Sequence, residues 1–180
     1  MVRWRGTASW LRLLGAIVLC QGAGALGAAF TARGLQQWYP ALKKPPFNPP
    51  NRVFGPVWTT LYLLMGIAEY LVTLQPAARP ETRRLARRAH ALFALQLGLN
   101  TGWSFVFFAL RAPLAALVVL LALWGTIVLT ILAFARLSRL AALLLVPYLL
   151  WSTFAAVLNG AIWWLNRKGE TALSTRHPAP

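Results

Sequence analysis

The chain has 180 residues, 58% hydrophobic and only 12% charged, about half the charged share of a soluble domain, so an ordinary soluble fold is excluded and a lipid-embedded one expected. Eighteen basic residues stand against three acidic ones, for a net charge of +15, and aspartate is absent. No polar domain gathers that charge, which excludes a nucleic-acid binder and leaves basic loops against anionic lipid headgroups.

One cysteine and two histidines cannot build a Cys/His metal cluster or an internal disulfide, and without aspartate there is no Ser-His-Asp triad. No metal site is expected.

A membrane span needs about 20 apolar residues. Five segments meet that length, near 9–32, 53–75, 88–110, 113–136 and 139–165. They predict an all-α integral membrane protein, with residues 1–167 forming one bundle of five transmembrane helices and 168–180 a polar, disordered tail.

The first segment has a basic start and small residues, as a secretory signal peptide does, but its charge-free run from Leu13 to Ala32 is long enough to span. Cys20 reads as a small buried hydrophobe. The spacing of Gly22, Gly24 and Gly27 suggests a phosphate loop only weakly, because it falls inside a span.

The first linker and the start of the second span, Trp38 to Trp58, hold six of the twelve prolines together with Lys43, Lys44 and Arg52. Proline fixes φ and removes an N–H donor, so this loop can keep a defined shape at a membrane surface. The second span contains Glu69, a carboxylate that is costly in lipid unless paired or hydrated. Arg12, Arg88 and His90 border spans on the side toward which Glu69 lies; pairing with one of them competes with proton or ligand work. His90 itself reads as a membrane-surface residue rather than a metal ligand.

The third span carries Ala94, Gly98 and Gly102 at four-residue spacing, a groove for packing inside the bundle or for a homodimer seam. Trp4, Trp10, Trp163 and Trp164 suit interfacial belts. Trp58, Trp103 and Trp151 lie within spans beside polar or small residues. Either they pack between helices, or they line a flat slot for a planar apolar ligand oriented by Gln96, Asn100 and Asn159. Five spans place the termini on opposite sides, with ten basic residues on the N-terminal side and eight on the other. That split leaves orientation open.

Three stretches carry a family likeness. The first is Trp38-Tyr39, Leu42, Lys44-Pro45, Pro49-Pro50, Phe54 to Trp58, Leu61-Tyr62 and Met65-Gly66. The second is Gln96-Leu97, Leu99-Asn100, Trp103 and Phe107-Phe108, and the third is Pro147-Tyr148, Trp151, Phe154-Ala155 and Leu158-Asn159. In order and spacing, across roughly residues 10–167, the chain resembles the translocator protein family, the tryptophan-rich sensory proteins of bacteria and peripheral benzodiazepine receptors of mitochondria.

The resemblance implies a five-helix bundle, often dimeric, binding protoporphyrin IX or haem-like tetrapyrroles, or sterols, in an internal cavity beneath the first loop. Such a protein transports, sequesters or senses its ligand and requires no cofactor. Alternatives are a light- and oxygen-dependent porphyrin-degrading enzyme, with Trp58 and Trp151 as the reactive indoles, or a structural membrane adaptor. Ala155 and Leu158 fall on the implied cavity wall, with Trp38, Phe47, Pro49, Pro50, Tyr62 and Tyr148 also at the ligand site. Lys43, Lys44 and Arg52 would form a cationic rim for ligand carboxylates.

Four departures stand out. Phe47 replaces the usual Trp, Pro46 precedes it where some members have a second Trp, the last span lacks the Tyr of a sterol-recognition pattern, and Glu69 falls where relatives tend to be uncharged. A multi-pass protein of the bacterial cell membrane is expected over one of the mitochondrial outer membrane.

Overall fold

Long runs without helix breakers, punctuated by proline, dictate the helices. In the computed structural model the described residues are 7–75 and 79–174, with side chains described for 9–75 and 79–167. Helix α1 spans Thr7–Gln37 and α2 spans Asn51–Thr73. Helix α3 spans Pro80–Ser104 and continues into a wide π turn, Phe105–Ala109, in which the Leu110 N–H reaches the Phe105 carbonyl at 3.0 Å. After α4, Pro113–Ala135, come the short α5, Arg139–Leu144, and α6, Val146–Ser174. No strand occurs among the described residues.

Proline opens α3 and α4, where its missing N–H is one the helix leaves unpaired anyway. The Ser138 hydroxyl caps α5 by accepting from the Ala141 N–H at 3.3 Å. Pro147, at the second position of α6, cannot donate to the turn before it, and this breaks the last span between α5 and α6.

The third helix begins eight residues before the expected start of its span, at Pro80 instead of 88. The arginine-rich linker is largely helical because Glu, Leu, Ala and Arg are good helix formers behind a proline start. The expected tail, 168–180, falls partly within α6, whose backbone runs to Ser174. Residues 175–180, including Arg176 and His177, lie outside the described residues, as do Arg3, Trp4 and Arg5.

Four stretches are long and apolar enough to cross a membrane: Ser9–Gln37, Pro80–Ala109, Pro113–Ala135 and Arg139–Arg167. The 23 residues of α2 suffice in length, but Glu69, Arg52 and the Thr and Tyr side chains keep it from that apolarity. Leu11, Val18, Val118, Leu132, Leu143 and Leu150 are exposed, as side chains facing lipid tails are. The chain is thus built as a multi-pass membrane protein.

The helices form a ring. Helix α1 packs on α2 and α3, α3 on α4, and α4 on α6, while α5 returns to α2 and closes one end. Lipid gives no hydrophobic drive for this, so close approach and interhelical hydrogen bonds must hold it. Gly66 shows the first: a Cβ there would lie 2.8 Å from the Ile17 Cα, so α1 and α2 touch backbone to backbone. Met65, Phe93, Leu123, Phe134 and Leu145 fill the half closed by α5. At the other end the ring encloses a cavity.

Candidate functional site

The cavity, about 570 Å³, lies between α1, α2, the end of α3 with its π turn, and α6. Its volume is within the range of small-molecule sites. Of the residues expected at a ligand site, Trp58, Tyr62, Asn100, Trp103, Trp151, Ala155, Leu158 and Asn159 line it together. Rings of Phe54, Phe107, Phe108 and Phe154 complete an aromatic wall. Trp151 packs against Phe54 at 5.9 Å and Phe154 at 5.4 Å, and Trp103 against Phe107 at 5.5 Å.

The opposing wall is made of small residues on α1, among them Gly24, Gly27, Ala28 and Thr31. A Cβ on Gly24 would come within 2.5 Å of the Tyr62 ring, so glycine is what lets Tyr62 lie flat against α1. Ala25, Ala28, Gly55 and Thr59 both line the cavity and are exposed, which leaves it open between α1 and α2.

The polar groups of the wall are largely spent on one another. Tyr62 Oη donates to Asn100 Oδ1 at 2.5 Å, and Asn100 Nδ2 donates to Tyr148 Oη at 2.8 Å. Trp103 Nε1 donates to Asn159 Oδ1 at 3.0 Å, and Asn159 Nδ2 to the Pro113 carbonyl at 2.8 Å. The two asparagines therefore tie the bundle together across the cavity. The Trp58 and Trp151 indole N–H groups have no hydrogen-bond partner among the described residues.

Other expected residues lie outside the lining. Tyr148 is buried behind the wall, holding Asn100. Gln96 is also buried, one turn below Asn100 on α3, and neither amide atom has a partner among the described residues. It lies beneath the cavity floor because the cavity fills only the loop-side half of the ring. Trp38 packs edge-on to Phe107 at 5.5 Å, and exposed Phe47 edge-on to Phe154 at 6.4 Å. Both support lining rings from behind or above. Pro49 and Pro50 carry the chain into α2.

The loop is internally stapled. Tyr39, the loop residue that reaches the lining, is buried and donates from Oη to Asn48 Oδ1 at 2.7 Å. Burial pushes its phenol above the usual value, and the bond to Asn48 draws it partly back. Lys44 turns inward, its Nζ donating to the Pro40 and Leu42 carbonyls at 3.2 and 3.1 Å and lying 4.9 Å from the centre of the Tyr39 ring. Its charge serves the loop, and of the three expected rim cations only Lys43 and Arg52 are exposed. The loop is fastened to α6 by Asn166, which was not among the expected site residues. Its Oδ1 accepts from the Lys43 N–H at 3.0 Å and its Nδ2 donates to the Lys43 carbonyl at 2.9 Å.

Away from the cavity, His90 Nδ1 lies 2.6 Å from Glu69 Oε1, so His90 is the partner among the three candidates. Glu69 Oε2 is buried without a partner among the described residues. Ala94, Gly98 and Gly102 lie along a shallow outer groove with Leu95, Phe105 and Val119. A Cβ on either glycine would meet nothing within 4 Å, so the stripe does not pack inside the bundle. No group of three or more metal-ligating side chains occurs among the described residues.

Similarity to known proteins runs over the same region as this geometry. The Tryptophan-rich protein TspO of Chlorobaculum tepidum is 47% identical over 150 residues, 83% of this chain and 92% of its own length. That of Archaeoglobus fulgidus is 44% identical over 156 residues, 87% of this chain and 97% of its own. The Translocator protein of Bos taurus is 36% identical over 158 residues, 88% and 92% respectively. The TspO/MBR family model matches residues 16–165, from early in α1 to the late turns of α6. The chain belongs to the TspO/MBR family.

Proposed function

We propose that the chain spans the membrane five times, with α2 as the remaining span, and binds a planar apolar ligand in the cavity. Protoporphyrin IX or a haem-like tetrapyrrole fits this reading best, with transport, sequestration or sensing as the outcome. One observation carries it: three indoles and four phenylalanine rings face a single space whose buried asparagines, Asn100 and Asn159, are already satisfied by protein groups. Such a wall offers flat dispersion contact and two indole donors without a partner among the described residues, and it asks for few polar atoms from its ligand. Lys43 and Arg52 supply positive charge near the loop for peripheral carboxylates. A sterol is a weaker candidate, since the last span lacks the tyrosine of the recognition pattern. The names translocator protein and tryptophan-rich sensory protein borne by relatives agree in kind.

The bacterial cell membrane is the proposed location, given relatives from bacteria and archaea. A homodimer is proposed through the outward Ala94-Gly98-Gly102 groove, with Leu95 and Phe105 as its flanks. Cysteines placed at 94, 98 and 102 would crosslink in membranes if the groove is the seam; absence of crosslinks at all three would exclude it.

Protoporphyrin titrated into detergent-solubilised protein in the dark, with tryptophan quenching as readout, tests the binding reading. Micromolar saturation that weakens at least tenfold in Trp58→Phe/Trp151→Phe is expected, on the order of 1.4 kcal/mol for two lost indole contacts. Linear, unsaturable quenching by the wild type would refute it. A second arm under light and air asks whether Trp58 and Trp151 also degrade the ligand. A new absorbing product made by the wild type and not by the double variant would add that oxidative activity.

A further inference from the structure

The first loop, over the cavity, has a fastening that no side-chain motif announces. Between α1 and α2 the chain crosses the cavity end of the ring and is held at two walls. At one wall Trp38 and Tyr39 pack on Phe107 of the π turn, at 5.5 and 6.4 Å. At the other, Asn166 of α6 grips the backbone of Lys43 with both ends of its amide, 3.0 Å for the accepted bond and 2.9 Å for the donated one. The same Nδ2 also donates to the Ile162 carbonyl at 2.7 Å, which sets the amide's rotamer before the loop arrives. This is the two-bond pattern of a β-ladder rung made by a side chain, and it reads backbone only.

The two fastenings differ in kind. Tyr39 is 4% exposed and sits in an apolar cluster with Phe107, Phe108 and Ile162, so withdrawing it would expose a large ring. The two bonds between Asn166 and Lys43 are exposed to solvent, where water can replace both at small net cost. The loop thus has a permanent anchor at Tyr39, wedged between the π turn and α6, and farther along a releasable clasp at Asn166, beside the exposed Phe47 ring that rests edge-on to Phe154.

We propose that Asn166 is a positioning residue that sets how often the first loop lifts from α6, and so how fast a ligand enters and leaves through the loop end of the cavity, a wider way in than the gap between α1 and α2. The proposal rests on the reading of the cavity as a ligand site, but the clasp itself can be tested without a ligand. A clasp acts on the barrier to opening and touches no part of the bound ligand. Its loss should therefore raise association and dissociation rates together and leave their ratio nearly fixed. Damage to the fold would instead weaken binding and lower the melting temperature.

Two variants serve. Asn166→Leu removes all three bonds. Asn166→Asp keeps an acceptor for the Lys43 N–H and loses the donor, and guards against misfolding of the first. Hydrogen exchange on ligand-free protein reads the clasp directly, since the Lys43 N–H is one of its bonds. Stopped-flow protoporphyrin quenching reads the rates. For Asn166→Leu we expect faster exchange confined to the loop peptide, and both rates up about tenfold with Kd within about twofold, the scale of two net hydrogen bonds. Asn166→Asp should fall between it and the wild type. Unchanged loop exchange, or a fall in affinity with faster exchange throughout the bundle, would overturn the clasp. Faster loop exchange in a protein whose wild type binds no protoporphyrin would uphold the clasp and defeat the ligand reading.

Discussion

Asn100 and Asn159 show how single polar residues organise a bundle that lipid cannot squeeze together. Each amide spends both its oxygen and its nitrogen on groups from other helices or turns. Replacing Asn100 by Leu leaves the Tyr62 and Tyr148 hydroxyls buried without partners. Each costs about 1–3 kcal/mol, so a clear fall in the detergent melting temperature is expected. An unchanged melting temperature would mean that the hydroxyls find other partners. Glu69 belongs to the same scale but to a different role. It faces His90 outside the cavity lining, and the His90 side chain is 37% exposed, so screening holds the pair to about 1 kcal/mol or less. Glu69→Gln is therefore expected to lower thermal stability slightly and leave protoporphyrin affinity intact. The reverse pattern, full stability with binding lost, would assign the carboxylate to ligand work.

At the scale of elements, the crossing of α1 and α2 depends on Gly66 meeting the Ile17 backbone. A methyl there must push the helices apart, so Gly66→Ala should destabilise by about 1–3 kcal/mol, again read by thermal melting. Trp58, Trp103 and Trp151 were legible as cavity candidates because a large indole beside polar neighbours is unusual in a span. The α1 wall was not, since Gly24, Gly27 and Ala28 look the same whether they admit a helix or a ligand. Gln96 shares a helical face with Asn100, and periodicity alone cannot tell that the cavity ends one turn above it. The clasp was invisible for a simpler reason. Asn166 binds the Lys43 main chain, and a main-chain partner leaves no mark on residue identity. The arginine linker misled in the other direction, because charge marks the end of a span without marking the end of its helix.

At the scale of the molecule, the ring of helices is solid at the end closed by α5 and hollow beneath the first loop, and the proposed span count and the proposed ligand each have a test at this scale. Five spans put the termini on opposite sides of the membrane, whereas four put them on one. Reporters fused to each end are expected to give opposite compartment signals; matching signals would remove α2 from the membrane. The ligand reading has its most direct test in filling the hollow. Ala155 lines the cavity on α6, and Ala155→Trp adds a ring to the space without removing any of the tying hydrogen bonds. Protoporphyrin affinity measured for this variant, with its melting temperature alongside, decides the matter. Saturable binding should be lost while the melting temperature holds or rises; binding at wild-type affinity would contradict a ligand inside the bundle.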